Sequence, residues 1–482
     1  MQRSSVAIIG AGFSGTLLAL HLLRICPPST EIRLIERRPE FGPGLAYSTD
    51  CSDHLLNVPA GRMSAFQQRP SDFLDWLRRQ PDDALDGLVP EAGGFVPRRL
   101  YGRYLRELLA NVASSHPTDR FRLLRGSVVA IDRTRSGLTL AFEDGHALTA
   151  TIGVIATGNN APAEPCPGLR ATSFYRPNPW AHDIADGLDS NRAVLLIGTG
   201  LTMVDTVVNL LNRGHRGPIH ALSRRGLLPH AHARIPATPP GFELHEIPHR
   251  PRELVRFIRL ECDRIVAMGG PWQVIVDALR PITQDIWRDW SAADRRQFLT
   301  HARPWWDVRR HRLAPSIADR IEAARASGQL RIHAGRLSGF AVQAGEVDVS
   351  WQPRGEAAAA ALRVQRVINC TGPATDVRTS SDPLTRSLLS AGLGWPDPLG
   401  LGFDITDDGA LRGNASDVLF GVGPICRSAL WENTAVPDIR VQCENLAKRI
   451  AWVSRQQDRS DRVSTHVPPR HGSDPASPGL RA

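Results

Sequence analysis

The apolar positions of this chain fall into runs and periods that predict its elements in order. Residues 6–9 form an unbroken apolar run, and 16–23 are apolar at helical spacing with no breaker before Pro27. Residues 32–35 form a second short apolar run. A strand, a helix and a second strand follow from these periods. The same triplet recurs at 193–223: an apolar run over 194–197, a helix to about 212 and a strand over 220–223. Helices are expected within 70–111, where Pro70-Ser71-Asp72 is a start signal. Alternating stretches at 122–130, 138–142 and 147–151 read as a small antiparallel sheet, followed by a buried strand at 152–155. Helical patterns fill 251–267, 271–290, 293–301 and 316–326. Strands resume at 330–333, 340–344, 347–351 and 364–369, with another at 417–422. A helix over 436–452 is the last element, and from 454 the polar, Pro/Ser/Arg-rich sequence reads as disordered.

The residues joining these elements carry the chemistry. The first strand ends in Gly10-x-Gly12-x-x-Gly15, and the second ends in Glu36, twenty-one positions after Gly15 (36 − 15). This spacing suits a dinucleotide-binding βαβ unit: a tight turn, close approach of a pyrophosphate, and close packing of helix on strand. The pyrophosphate meets unpaired N–H groups at the helix N-terminus, and an acid at Glu36 accepts the ribose hydroxyls. A secretory signal would also be apolar over 6–23, but glycines at this spacing are poor helix formers and no small-residue cleavage site follows. The second triplet carries Gly198-x-Gly200, with Met203 where the third glycine would stand, and ends in Ser223-Arg224-Arg225. A hydroxyl and two guanidiniums suit a 2′-phosphate where an acid suits a bare ribose. The first unit thus matches FAD and the second NADPH.

Two further runs end alike, in Ala156-Thr157-Gly158 and Cys370-Thr371-Gly372, and read as returns between units. Prolines at 162, 165, 167, 177 and 179 mark a linker. The expected fold class is α/β, with two Rossmann-like domains and a helical insertion. Residues 1–165 and 373–453 form a discontinuous FAD domain, 190–226 and 329–372 an NADPH domain, 227–328 the insertion and possible substrate region, and 454–482 the tail.

Composition adds constraints. Hydrophobic residues make up 42% and charged residues 22% of 482, ordinary for a globular protein. No apolar stretch predicts a membrane span. The net charge is +9, yet Lys448 is the sole lysine, and the arginines are scattered without a nucleic-acid motif, so no nucleic-acid partner is expected. Seven cysteines at wide spacings with no C-x-x-C fit a reduced, cytoplasmic protein, and no metal spacing appears.

The glycine loops, Glu36, both hinges and the final Gly421-Val422-Gly423 turn together resemble flavoproteins with two dinucleotide-binding domains. The segments 44–49 (Gly-Leu-Ala-Tyr-Ser-Thr) and 54–60 (His-Leu-Leu-Asn-Val-Pro-Ala) are similar to the bacterial FAD/NAD(P)-binding protein group, related to N-hydroxylating and class B flavin monooxygenases. The pattern Phe-x-Gly-x-x-x-His of the latter is matched only by Phe174 and a displaced His182, without its glycine. The resemblance implies an FAD-dependent, NADPH-consuming oxidoreductase of monooxygenase type. Oxygen would pass from a flavin hydroperoxide to a small nucleophile, with an amine or amino acid as candidate substrate. Candidate FAD residues are Gly10, Gly12, Phe13, Ser14, Gly15, Glu36, Arg37, Asn57, Met63, Ser64, Val129, Thr157, Gly158 and Gly423. Candidate NADPH residues are Gly198, Gly200, Leu201, Thr202, Ser223, Arg224, Arg225, Thr371 and Gly372. Arg62, Arg303, Arg309 and Arg312 are candidates for a substrate carboxylate, the last three within a dense Arg/Trp cluster whose other reading is an interdomain surface. No catalytic side chain or oligomeric state is assigned. A single-cysteine peroxide or disulfide reductase using Cys51, and a non-catalytic redox sensor, are the alternatives.

Overall fold

A computed structural model describes residues 4–233, 241–343 and 345–464. Ser5–Ile9 and Glu31–Glu36 are buried along most of their length because both faces of the sheet they join are covered, as a parallel sheet requires: helices pack on one face, and Val128, Ile131, Leu138, Leu140 and Phe142 of the small antiparallel sheet on the other. That sheet has the order Leu419–Gly421, Ile152–Ile155, Ser5–Ile9, Glu31–Glu36, Phe121–Arg125, with every pair parallel. Ile8 stands opposite Leu34 on one side and Val154 on the other. Its edge strand Leu419–Gly421 arrives from far along the chain. The helices Phe13–Ile25 and Val436–Ser464 pack on one face, burying Leu17, Leu18, Cys443, Ala447 and Ile450 in a shared core.

The second sheet runs Ala360–Val364, Glu346–Pro353, Leu330–Gln343, Ile219–Ser223, Val194–Ile197, Arg366–Asn369, Tyr175–Arg176. Its centre is parallel, and its edge beyond Ala334 is antiparallel. The stretches expected at 330–333 and 340–344 are one strand, Leu330–Gln343, bent at a register shift between Leu337 and Gly339; Ala344 lies outside the described residues.

The stretch expected as one strand over 122–130 is two. Phe121–Arg125 extends the first parallel sheet, and Val128–Thr134 joins Gly137–Phe142 and Ala147–Ala150 in the antiparallel sheet. The chain breaks at Gly126, where a side chain would run into the Phe142 ring.

Between the second and third strands of the second unit lie the helices Pro251–Ala267, Gln273–Ala278, Thr283–Asp289, Ala292–Gln297, Arg303–Arg310 and Pro315–Ala326. The helix expected over 271–290 is broken at Pro281, which cannot donate to the helical ladder. Trp287, Trp290, Leu279 and Ile286 make a core of their own with Leu401 and Trp431, so the insertion rests on loops of the first unit. The last helix continues to Ser464, past the expected limit at 452, and Val453 and Ser454 just beyond that limit are still buried. Residues 465–482 of the expected tail lie outside the described residues. No described helix is long and apolar enough to cross a membrane.

Candidate functional site

The two glycine turns have one geometry. Gly10 has φ +107°, and a Cβ there would lie 2.4 Å from the Ala156 carbonyl oxygen. Gly198 has φ +110°, and its Cβ would lie 2.3 Å from the Cys370 carbonyl oxygen. Each turn is therefore pressed against its own Thr-Gly hinge, at a distance no side chain permits. Gly10 N–H donates to Ile35 O and Gly198 N–H to Leu222 O, both at 2.8 Å, which ties each turn to the end of the neighbouring strand.

The helices beyond the turns begin alike. Gly12 precedes Phe13–Ile25 and Gly200 precedes Leu201–Asn212, both extended and both without a side-chain cap. The first N–H groups of each helix are thus left to an outside acceptor, and the macrodipole favours an anion there. A Cβ on Gly200 would meet nothing within 4 Å, whereas Gly12 faces the Gly44 backbone at 3.4 Å. The loop at Gly42–Gly44 closes over the first turn, with Gly42 N–H donating to Ala11 O at 2.7 Å. Both cradles fit a pyrophosphate.

The reading positions differ in charge. Glu36 is buried, its carboxylate accepting Ala11 N–H at 2.8 Å and Arg38 N–H at 2.9 Å. Each oxygen keeps a lone-pair site for a ribose hydroxyl. At the second unit Ser223 Oγ meets Thr199 Oγ1 at 2.9 Å and accepts Gly226 N–H at 3.0 Å. Arg224 is exposed and Arg225 half-buried, and among the described residues neither is held by a hydrogen bond or ion pair. Arg37 is exposed and lies 3.6 Å from Asp382.

Other candidates fall around the first cradle. A Cβ on Gly423 would lie 2.4 Å from Ser14 Oγ, so the last glycine turn sits on the start of the first helix. Phe13 is buried against Tyr47 and Tyr101. Val129 stands at the register shift between Val128 and Ala130, which takes it out of the ladder. Thr157 and Thr371 are exposed on the hinges, which bond to each other where Ala374 N–H donates to Ala161 O at 3.3 Å. Asn57 O accepts from His232 Nε2 at 2.9 Å. Met63 and Ser64 are buried, and Ser64 Oγ donates to the Phe66 and Arg69 carbonyls, so this hydroxyl closes a turn. Leu201 and Thr202 are half-buried on the first turn of their helix. The side chain of His182 lies outside the described residues.

The arginines proposed to grip a substrate are not one site. Arg312 is 3% exposed and bonds Asp277. Arg303 donates to Asp307 at 3.2 Å and stacks over Trp431. Arg62 is exposed on the turn Ala60–Arg62. Arg309, which donates to the Trp305 carbonyl at 3.2 Å, lines a groove of about 720 Å³ in the insertion. Arg303 and Arg312 are neutralised within the insertion, by Asp307 and Asp277, while Arg310 pairs with Glu432 outside it.

Glu432 is a residue that sequence reasoning passed over. It is buried with φ +62°, a conformation that costs a side-chain-bearing residue about 1–2 kcal/mol. Its carboxylate accepts Arg310 Nε at 2.9 Å and the Trp306 indole N–H. It pins the insertion to the loop before the last helix. A lone acid beside Trp431, opposite an arginine-rich segment lacking enough local acids, is the signal that could have found it.

Cys51 lies beside Asn212, whose amide donates to its Sγ at 3.6 Å. Asn212 ends the helix that Gly200 begins, so this thiol is about 16 Å along the helix from the second cradle. Burial raises the Cys51 thiol, but the hydrogen bond and charge of His54 outweigh this and lower it below its usual value. His54 is oriented by Thr49 Oγ1 at 2.7 Å and the Asp205 carbonyl at 3.0 Å. The Asp205 carboxylate holds Arg98 at 2.9 Å, with both side chains nearly buried. This cluster joins the first unit to the second unit's helix.

The FAD-NAD(P)-binding family matches residues 7–160. Among curated proteins nothing matches the chain. Among solved structures, the reduced form of ornithine hydroxylase from Pseudomonas aeruginosa is similar over 94% of this chain and 100% of its own, at 13% identity and a TM-score of 0.64. Ornithine N-hydroxylase from Kutzneria sp. 744, with reduced FAD, NADP+ and L-ornithine, is similar over 95% and 100%, at 13% identity and 0.63. L-lysine 6-monooxygenase from Pseudomonas syringae is similar over 94% and 99%, at 17% identity and 0.62. The fold is therefore that of flavoproteins with two Rossmann-like dinucleotide-binding units.

Proposed function

We propose that the protein is an FAD- and NADPH-dependent monooxygenase that N-hydroxylates an amine. One observation carries the reading. A single turn geometry occurs twice, Gly10 on Ala156 and Gly198 on Cys370, with a buried acid at one reading position and, at the other, two arginines that no described residue pairs. The solved relatives, described as ornithine and lysine hydroxylating enzymes, support the same reaction class.

The balanced reaction is R–NH2 + O2 + NADPH + H+ → R–NHOH + NADP+ + H2O. When bound, FAD supplies the acceptance of hydride and the activation of oxygen. The chain's own tasks are binding and orientation. The N–H groups after Gly12 receive the FAD pyrophosphate and Glu36 the ribose, while Ser14 and the Gly423 turn lie against the same helix start. The N–H groups after Gly200 receive the NADPH pyrophosphate, and Arg224 and Arg225 the 2′-phosphate. The domain limits stated above are proposed on the same basis, with the last helix carried to Ser464.

The test is spectroscopic. Purified protein should be yellow, and NADPH should bleach it without oxygen at least tenfold faster than NADH. Arg225→Gln should slow NADPH about 10-fold, the loss of one charge-assisted bond of roughly 1.5 kcal/mol, and leave NADH unchanged. Equal rates for both nicotinamides in the native protein would remove the role given to the two arginines.

A further inference from the structure

The insertion holds a groove of about 720 Å³ whose floor is mostly indole: Trp287, Trp290, Trp305, Trp306 and Trp431 all line it. Leu254, Ile258 and Phe298 line it too, with the polar side chains of Thr283, Gln297 and His301 among them. At its rim stand Arg252, Arg259 and Arg309 against a single carboxylate, Asp263. Among the described residues none of the three guanidiniums is held by a carboxylate, whereas Arg303, Arg310 and Arg312 nearby all are. Arg252 and Arg259 lie seven positions apart on the helix Pro251–Ala267, so both fall on one face with Val255 between them, and Val255 and Trp305 are exposed. The inner end of the groove reaches Trp431, beside the buried Glu432 on the loop before the last helix.

A floor of this kind is a poor receptor for a short, doubly charged amino acid. Such a ligand would lose hydration at its amine with only Asp263, itself among three guanidiniums, to receive it. The surface instead matches a molecule with an extended apolar body and one anionic end. We propose that the groove binds an amphipathic organic anion, its carboxylate at Arg252, Arg259 and Arg309 and its body along the indoles toward Trp431. As a binding site this groove stands apart from the reaction proposed in the preceding subsection.

Dodecanoate is the probe, titrated into the FAD-loaded protein by calorimetry below its micellar concentration. One saturable site per chain is expected, with each methylene removed from the acid weakening binding about fourfold, equivalent to about 0.8 kcal/mol. Dodecylammonium, of equal length and opposite charge, should bind at least 30-fold more weakly. Arg252→Gln with Arg259→Gln, both at exposed positions that no core packing needs, should weaken dodecanoate about 10-fold and narrow the gap to dodecylammonium. 12-Bromododecanoate should quench indole fluorescence at saturation, because its bromine would lie among the tryptophans. Equal affinity for both head groups, non-saturating uptake, or binding without quenching would overturn the proposal. So would rejection of both probes by a dimer that buries this face. Anaerobic bleaching by NADPH on the same sample scores the redox reading separately. A protein that bleaches but ignores dodecanoate loses only the groove, and one that binds dodecanoate but does not bleach loses only the reaction.

Discussion

Replacing Gly198 by alanine tests the second cradle most directly. The new Cβ would lie 2.3 Å from Cys370 O, 2.6 Å from Cys370 C and 3.0 Å from Thr371 N, all backbone atoms. These atoms cannot give way cheaply. Cys370 N–H is bonded to Ile197 O at 2.8 Å, and Arg366–Asn369 is laddered to Val194–Ile197 in full register. Alanine at φ +110° adds backbone strain of about 1–2 kcal/mol. Prising hinge from turn by roughly 1 Å forfeits packing of similar or larger size, so the total destabilisation is about 3–5 kcal/mol. The hinge and the N–H groups after Gly200 shift together, and NADPH should lose affinity by at least 30-fold. FAD content should survive, since the first cradle is separate. Urea unfolding, flavin absorbance after purification and anaerobic reduction against NADPH concentration measure the three quantities. Gly10→Ala is the mirror experiment and should lose the yellow colour instead. A Gly198→Ala protein with stability within 0.5 kcal/mol of the parent, by the usual scatter of neutral substitutions, and an unaltered NADPH dependence would refute the reasoning.

Two other outcomes follow from the buried polar groups. Asp205→Ala strips Arg98 of its partner where both side chains are nearly buried, so urea unfolding should show a loss of about 3–5 kcal/mol, and Arg98→Met added to it should recover a good part. His21 is held in the interior with no partner for Nε2, and burial, aided by Arg24, lowers its pKa to about 4. The unfolded chain takes up that proton near pH 6.5 and the folded chain does not, so stability is lost as pH falls from 6.5 to 4, by about 3 kcal/mol. His21→Leu should flatten that fall in urea titrations at pH 7.5 and 4; an unchanged slope would mean His21 titrates freely.

The parts of the fold written in short-range code were legible. Both strand–helix–strand units appear where apolar runs and glycines place them, and Glu36 and Ser223 end their strands as expected. The parts decided by distant partners were not. Phe121–Arg125 has the same alternation whether it pairs with Glu31–Glu36 or with the antiparallel sheet, and only the break at Gly126 separates the two. The arginines of 303–312 announce a need for anions but not which ones. Asp277 and Glu432 supply them from 35 and 122 positions away, and Arg309 is the arginine of this segment that lines the groove. Cys51 seemed to border the flavin by its place in the chain, yet three-dimensional packing sets it at the remote end of the second unit's helix. Val436–Ser464 outlasts its expected end through a polar stretch, 454–462, that carries no apolar period to announce it.

The edge strand Leu419–Gly421 also orders events during synthesis. When the first glycine loop leaves the ribosome, the strand beside Ile152–Ile155 and the helix roofing Phe13–Ile25 are still several hundred residues from being translated. The second unit, complete by Asn369, has all its neighbours earlier. Translation would therefore finish the second unit first and leave the first as an open-faced sheet in need of shelter. A ribosome stalled before residue 419 would carry one closed sheet and one half-built, its first glycine cradle still without the strand and helix that back it.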